Sequence, residues 1–301
     1  MQIKMPAPQR DVVVRGIFYM IASTIGFAGV NALVKWEVAL YPVGEVAFFR
    51  SLFALVPSYL IALPRHGLGV VRTERIGDHI KRALSQLCSM TSIFIAFKLM
   101  PLAGAVAISF SAPLFTTLLS IVVLKERVGL HRWSALAIGF VGVLLVVDPG
   151  RESLHLGAVF ALGNAIMIST VAVAIRKMSA TESTETLVVY QISLLTLFTA
   201  ALLPFGFILP RPVDFALLAA AGVLNGVSQY WWTKSLHLAP ASAVVPFNYL
   251  ALVWATIVGF LVWGDVPTPM LYLGSAIVVG SGLYILWRET AARRLRARVT
   301  T

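Results

Sequence analysis

Residues 99–120 read LMPLAGAVAISFSAPLFTTLLS, and residues 238–259 read LAPASAVVPFNYLALVWATIVG. A shift of 139 residues lays one stretch on the other. Leu99 meets Leu238, Pro101 meets Pro240, Ser109 meets Asn248 and Phe110 meets Tyr249; further on, Glu126 meets Asp265. Both stretches are apolar and charge-free, and about 20 such residues cross a hydrocarbon core as a helix. A shift of 141 extends the match backwards: Gly16 meets Gly157, Lys35 meets Arg176 and Arg50 meets Gln191. The chain therefore reads as two copies of one helical unit.

Composition agrees. Of the 301 residues 58% are hydrophobic and 12% charged, with mean hydropathy +0.86. A soluble domain has about 25% charged residues, so a water-facing enzyme, a disordered chain and a disulfide scaffold are excluded. Cys88 is the single cysteine.

Apolar windows fall at Val14–Val34, Val43–Leu63, Lys81–Leu99, Ala103–Leu124 and Leu130–Val147. They resume at Leu154–Ile175, Thr186–Phe207, Phe215–Ser235, Ala241–Val262 and Pro269–Trp287. The windows at Lys81–Leu99 and Phe215–Ser235 are the most polar. Continuous runs without ten-residue alternation predict helices rather than barrel strands. The expected fold is an all-α polytopic membrane protein of ten transmembrane helices, arranged as two inverted five-helix repeats around a central cavity. Five spans is an odd number, so the second repeat enters the membrane upside down, a construction suited to alternating access. The expected organisation is a cytoplasmic N-terminal segment 1–13, a first repeat 14–147, a linker 148–153, a second repeat 154–287 and a basic tail 288–301. The N-terminal apolar run is too long for a cleaved signal and reads as a retained anchor.

The net charge of +11 and a pI near 10.2 would suit a nucleic-acid partner in a soluble protein. Here the charges sort by side. Under ten spans, 19 of the 24 Lys and Arg fall on one side. Lys35, Lys98, Arg151 and Arg211 fall on the other, and Arg50 lies inside a span. The positive-inside bias then predicts an inner-membrane protein with both termini cytoplasmic and no nucleic-acid partner. Lipid and a small solute are the expected partners; the sequence leaves the oligomeric state open, a monomer being one option.

The repeat also singles out polar residues placed twice. Gln86 and Ser89 fall on Asn225 and Ser228, Ser109 on Asn248, and Ser23 on Asn164. Intramembrane polar groups at equivalent positions fit either a shared solute cavity or helix-joining hydrogen bonds of about 0.6 kcal/mol each. As candidate substrate-binding residues we take Asn225, Asn248, Tyr249, Gln86, Ser89, Ser228, Ser109, Asn164, Ser23 and Trp254. Pro113 inside span four and Pro246 early in span nine are candidate gating kinks. Gly222 and Gly226 form a small-residue pair allowing close helix approach.

Every Asp and Glu is expected in a loop or at a span end, and all five histidines in loops. Arg50 is the one charge well inside a span, a candidate partner for a cargo carboxylate but expected rather to pair with Glu45 or Glu37 or to reach outward. That inventory predicts a neutral or zwitterionic cargo and uncoupled or exchange transport. No cofactor, metal site or catalytic residue is expected: the histidines show no ligand spacing, and neither a membrane enzyme nor a channel has the groups it needs.

Several residues carry a resemblance: Phe48-Phe49-Arg50, Pro101, Pro113-Leu114-Phe115 and Glu126-Arg127, partly repeated by Pro240 and Gly264-Asp265. Their doubled order resembles the EamA-type transporters of the drug/metabolite transporter superfamily, and within it the bacterial aromatic amino-acid exporters. Lys125 departs from the usual glycine, and Leu252 stands where Pro113 would recur. The resemblance implies a ten-helix basket exporting neutral amino acids, aromatic or hydrophobic, or alternatively other metabolites or drugs.

Overall fold

The computed structural model describes residues 10–67, 73–123, 130–147, 156–178, 181–239, 244 and 247–299. Among them the regular structure is helical throughout. The first half holds α1 (Arg10–Leu40), α2 (Val43–His66), α3 (Ile76–Leu99), α4 (Leu102–Ser109), α5 (Ala112–Val123) and α6 (Leu130–Val147). The second holds α7 (Leu156–Met178), α8 (Thr184–Ala200), α9 (Pro212–Leu238), α10 (Leu250–Trp263) and α11 (Pro269–Val299). The proposed linker 148–153 and residues 1–9 lie outside the described residues.

Four helices hold runs long and apolar enough to cross a bilayer: Val12–Leu40, Val43–Pro64, Leu156–Ile175 and Glu185–Phe205. Shorter apolar runs lie at Leu102–Thr116, Trp133–Val146, Leu250–Trp263 and Pro269–Tyr284. The two most polar windows form the unbroken helices α3 and α9. Local chemistry sets the ends. Ser183 accepts from the Thr186 N–H at the start of α8, satisfying a donor that the helix leaves free. Pro212 opens α9 where no N–H is needed. Gly264, at φ 70°, closes α10 in the left-handed conformation that glycine adopts without strain.

The halves interlock. α1 packs along α9, and α3 along α7; exchanging the repeats converts one pair into the other. α2 packs on α8 and α6 on α11, each joining a helix to its own counterpart. The buried cluster draws Val30, Phe94, Leu102 and Ile108 from one half and Ala158, Ala161 and Leu218 from the other. Close approach depends on glycine. A Cβ at Gly222 would lie 2.5 Å from the Phe53 Cβ and 2.8 Å from the Arg50 carbonyl oxygen.

Span four corrects the reading of Pro113. The span is interrupted rather than kinked: α4 ends at Ser109 and α5 starts at Ala112. Pro113 is the second residue of α5, in a first turn where a missing N–H costs no intrahelical bond. The Leu114 N–H donates to the Ser111 carbonyl at 2.9 Å, restarting the helix. Phe110, at the interruption, has φ −67° and ψ −3°. Tyr249, 139 residues later, precedes α10 with φ −67° and ψ −13°. The repeat therefore extends to backbone conformation. Pro246 lies outside the described residues.

Candidate functional site

Arg50 sits on α2 and is partly buried among the helices. Its Nη2 donates to Asn225 Oδ1 on α9 at 2.6 Å, and its Nη1 reaches Met90 Sδ at 2.9 Å. The guanidinium carbon lies 5.4 Å from the Phe94 ring centroid. Nε is buried without an acceptor among the described residues. The expected pairing with Glu45 or Glu37 is thus corrected. Nearness along α2 suggested a carboxylate partner, but packing against α9 supplied an amide.

The equivalent positions make the equivalent bond. Gln191 on α8 donates through Nε2 to Gln86 Oε1 on α3 at 3.1 Å. Gln191 is the counterpart of Arg50, and Gln86 of Asn225, so each half contributes one partner to each pair. Phe110 and Tyr249, themselves counterparts, stand with ring centroids 5.0 Å apart. Two copies of one position can touch only beside the pseudo-twofold axis, which places Phe110 and Tyr249 there. Gln191 was not among the candidates, although its offset from Arg50 could have found it.

Three other candidates come together as a network. Ser89 Oγ donates to Asn164 Oδ1 at 2.7 Å, and Asn164 Nδ2 donates to Ser109 Oγ at 2.9 Å. These bonds join α3, α7 and α4. Ser23 and Ser228 are fully buried and donate back to the Met20 and Leu224 carbonyls of their own helices. Trp254 Nε1 donates to Thr24 Oγ1 at 3.1 Å, tying α10 to α1. Asn248 is half-buried in the turn before α10.

The inventory of titratable groups needs correction for the histidines: His66, His79, His131 and His237 lie within helices rather than loops, while Glu37 and Glu45 keep to helix ends but are fully buried. Glu37 lies in the last turn of α1, fully buried, with neither oxygen partnered among the described residues; α1 runs on to Leu40, past the window read from the sequence, which ends at Val34. Glu45, in the first turn of α2, is fully buried too, and its Oε2 accepts from the Ile208 N–H at 2.9 Å. His79 lies in the first turn of α3, fully buried, stacked on Tyr190 at 4.4 Å and 3.9 Å from Glu182.

At the end of the bundle away from Arg10, polar bonds tie the helix connections together. Tyr41 donates to Asp214 Oδ2 at 2.6 Å, and Arg211 Nε donates to the same oxygen at 2.7 Å. Arg211, then Tyr41, hold the Asp214 carboxyl below the usual carboxylate range. Lys35 donates to the Phe97 and Met100 carbonyls at 3.1 and 2.7 Å, closing the end of α3. Among the described residues no cluster of His, Cys, Asp and Glu could hold a metal ion.

Comparison with known proteins follows this geometry. The profile of the EamA-like transporter family matches residues 14–148 and 155–287. The chain is 30% identical over 290 residues to a riboflavin transporter of Rhizobium johnstonii, covering 95% of both chains. It is 25% identical to an S-adenosylmethionine uptake transporter of Rickettsia felis, over 92% of this chain and 94% of that one. A solved crystal structure, 20% identical, superposes with a TM-score of 0.60 over 87% of this chain and 96% of that one, which shows a shared fold.

Proposed function

The chain belongs to the EamA-like transporter family, and from that premise we propose that it carries small solutes bearing an apolar or aromatic body and a carboxylate, neutral aromatic or hydrophobic amino acids first among them. It is a multi-pass membrane transporter, and its family and relatives point away from an enzyme. The crossed pairs carry the reading. Buried charges are normally paired, yet among the described residues Arg50 has only an amide, a sulfur and a ring face as partners. A cargo carboxylate is the acceptor its planar fork suits. Gln86, Gln191, Asn225 and Asn248 supply neutral hydrogen bonds, and Phe110 and Tyr249 offer stacking faces. We assign Ser89, Asn164, Ser109 and Trp254 to joining helices, and Ser23 and Ser228 to buried bonds within their own helices.

Alternating access is our reading of the interruption between α4 and α5 and of the turn at its counterpart Tyr249. Transport is uncoupled or by exchange: an arginine and amides exchange no proton near neutrality, and none of Glu37, Glu45 and His79 is bonded to the pairs among the described residues. Direction then follows the solute gradient, and export is our assignment, with both termini cytoplasmic in a bacterial inner membrane on the basic-residue bias.

A second reading has its own support. The riboflavin transporter match spans nearly the whole chain, and an edge of amides suits the donors and acceptors of a flat heterocycle. Counterflow in proteoliposomes with tryptophan, phenylalanine, riboflavin, S-adenosylmethionine and a cationic dye tests both. Flux of tryptophan or phenylalanine supports the first reading, and flux of riboflavin without them the second. Flux of the dye alone overturns both.

A further inference from the structure

The two repeats are tied to each other at both ends of the bundle, and the ties are counterparts. At the end away from Arg10, Tyr41 lies in the connection between α1 and α2, and Asp214 in the first turn of α9. Tyr41 donates to Asp214 Oδ2 at 2.6 Å and accepts from the Arg211 N–H at 3.2 Å. The 141 offset places Tyr41 on Glu182, and the 139 offset places Asp214 on Arg75 and Pro212 on Thr73. Glu182 lies in the connection between α7 and α8, and Thr73 and Arg75 stand just before α3. A bond is made here too. Thr73 donates to Glu182 Oε1 at 2.6 Å, and Arg75 donates to Thr181 Oγ1 at 3.0 Å and to the Lys177 carbonyl at 3.4 Å. Since α2 runs back from the Tyr41 end, this second tie stands at the end where α1 starts.

The chemistry differs between the ends while the connection is kept. Each tie joins the link after the first helix of one repeat to the start of the third helix of the other, so each crosses between the halves. Both carboxylate acceptors are buried: Asp214 is 3% exposed and the Glu182 side chain 8%. A buried carboxylate that loses a donor is destabilised until water reaches it, so each tie favours an end closed to water. Inverted repeats change access by exchanging the conformations of their halves. That exchange breaks a contact at one end and preserves its counterpart at the other.

We propose that the two ties are the gates of the carrier. The Tyr41–Asp214 tie closes the end away from Arg10, the Thr73–Glu182 tie closes the end where α1 starts, and the opening of either end releases its own tie while the other holds. Tyr41, Asp214, Thr73 and Glu182 are positioning residues, acting on access rather than on the cargo. The proposal rests on the alternating-access reading above but not on the identity of the solute.

The test reads access without solute. Cys88→Ser combined with Phe110→Cys puts one thiol beside the axis. A charged, membrane-impermeant thiosulfonate is applied to either face of oriented vesicles, and an N-terminal tag identifies the face on which α1 starts. Tyr41→Phe and Asp214→Asn should each raise the labelling rate from the untagged face at least about tenfold, the shift in open population from losing one bond to a charged group, without raising it from the tagged face. Thr73→Val and Glu182→Gln should do the reverse. Tyr41→Phe and Thr73→Val alter a single hydroxyl, so they carry the test if the carboxylate variants fail to fold. A merely structural tie would loosen both faces together. Labelling raised on both faces, raised on the wrong face, or unchanged would each overturn the proposal. The carrier reading fails by a different measurement, the absence of counterflow for every solute.

Discussion

Replacing Asn225 by alanine separates a cargo site from a set of helix ties. Asn225 Oδ1 takes a hydrogen bond from the Arg50 guanidinium at 2.6 Å, and bonds to charged groups contribute about 1.5–3 kcal/mol. The counterpart Gln191–Gln86 bond is neutral and 3.1 Å long, worth about 0.5–1.5 kcal/mol. If Asn225 aims Arg50 at a cargo carboxylate, Asn225→Ala should raise the half-saturating solute concentration by at least about tenfold, and Gln86→Ala by about two- to tenfold. Arg50→Gln should be no worse alone than combined with Asn225→Ala, because the two act as one unit. The assay is counterflow of labelled tryptophan and riboflavin in proteoliposomes, beside thermal unfolding of each variant. Ser109→Ala is the control: it loses its bond from Asn164, so stability should fall while half-saturation holds. Equal shifts from Asn225→Ala, Gln86→Ala and Ser109→Ala would refute the reasoning, since all three would then act only through packing.

Four further outcomes are expected. Gly222→Ala drives a Cβ against Phe53 and the Arg50 carbonyl; overpacking of about 1–3 kcal/mol should lower the melting temperature and the affinity together, and an affinity that survives would detach the α2–α9 contact from the site. Pro113→Ala lets α4 and α5 join; substitution in a first turn should change melting little but slow single-turnover flux, and unchanged flux would remove Pro113 from the gating step. For Asp214 the folded carboxyl is held below its ordinary range by Arg211 and Tyr41. Its stabilisation is therefore present above about pH 3.9 and lost as pH falls through the depressed value, so the difference in melting temperature from Asp214→Asn should be level from pH 8 to about 4 and shrink below. An imposed pH gradient should not drive uphill accumulation of tryptophan; robust accumulation would replace exchange with proton coupling and direct attention to Glu37.

The sequence made the repeat legible because chemistry recurs at offsets of 139 and 141 residues, and the two offsets together reach the crossed pairs: Arg50 with Asn225, Gln191 with Gln86. The interruption at Phe110 was hidden behind Pro113. A proline advertises a break, but its own geometry favours the turn after one. The burial of Glu37 was hidden because the window read from the sequence ends at Val34 while α1 runs on to Leu40, and hydropathy marks where lipid could lie, not which residues a helix end buries. Arg50 was misassigned a partner because charge suggests charge, while the packing of α2 on α9 decided what lay within reach.

The crossed pairs have a consequence for how the molecule could be divided. Neither five-helix half can assemble Arg50–Asn225 or Gln191–Gln86 alone, for each bond needs one atom from each. Cut between residues 148 and 155 and produced as two polypeptides, the halves should be inert apart and active together. Two copies of the same half should not replace the missing one: doubling the first would oppose Arg50 with Gln86 at both places, setting two guanidiniums beside the axis with no carboxylate between them.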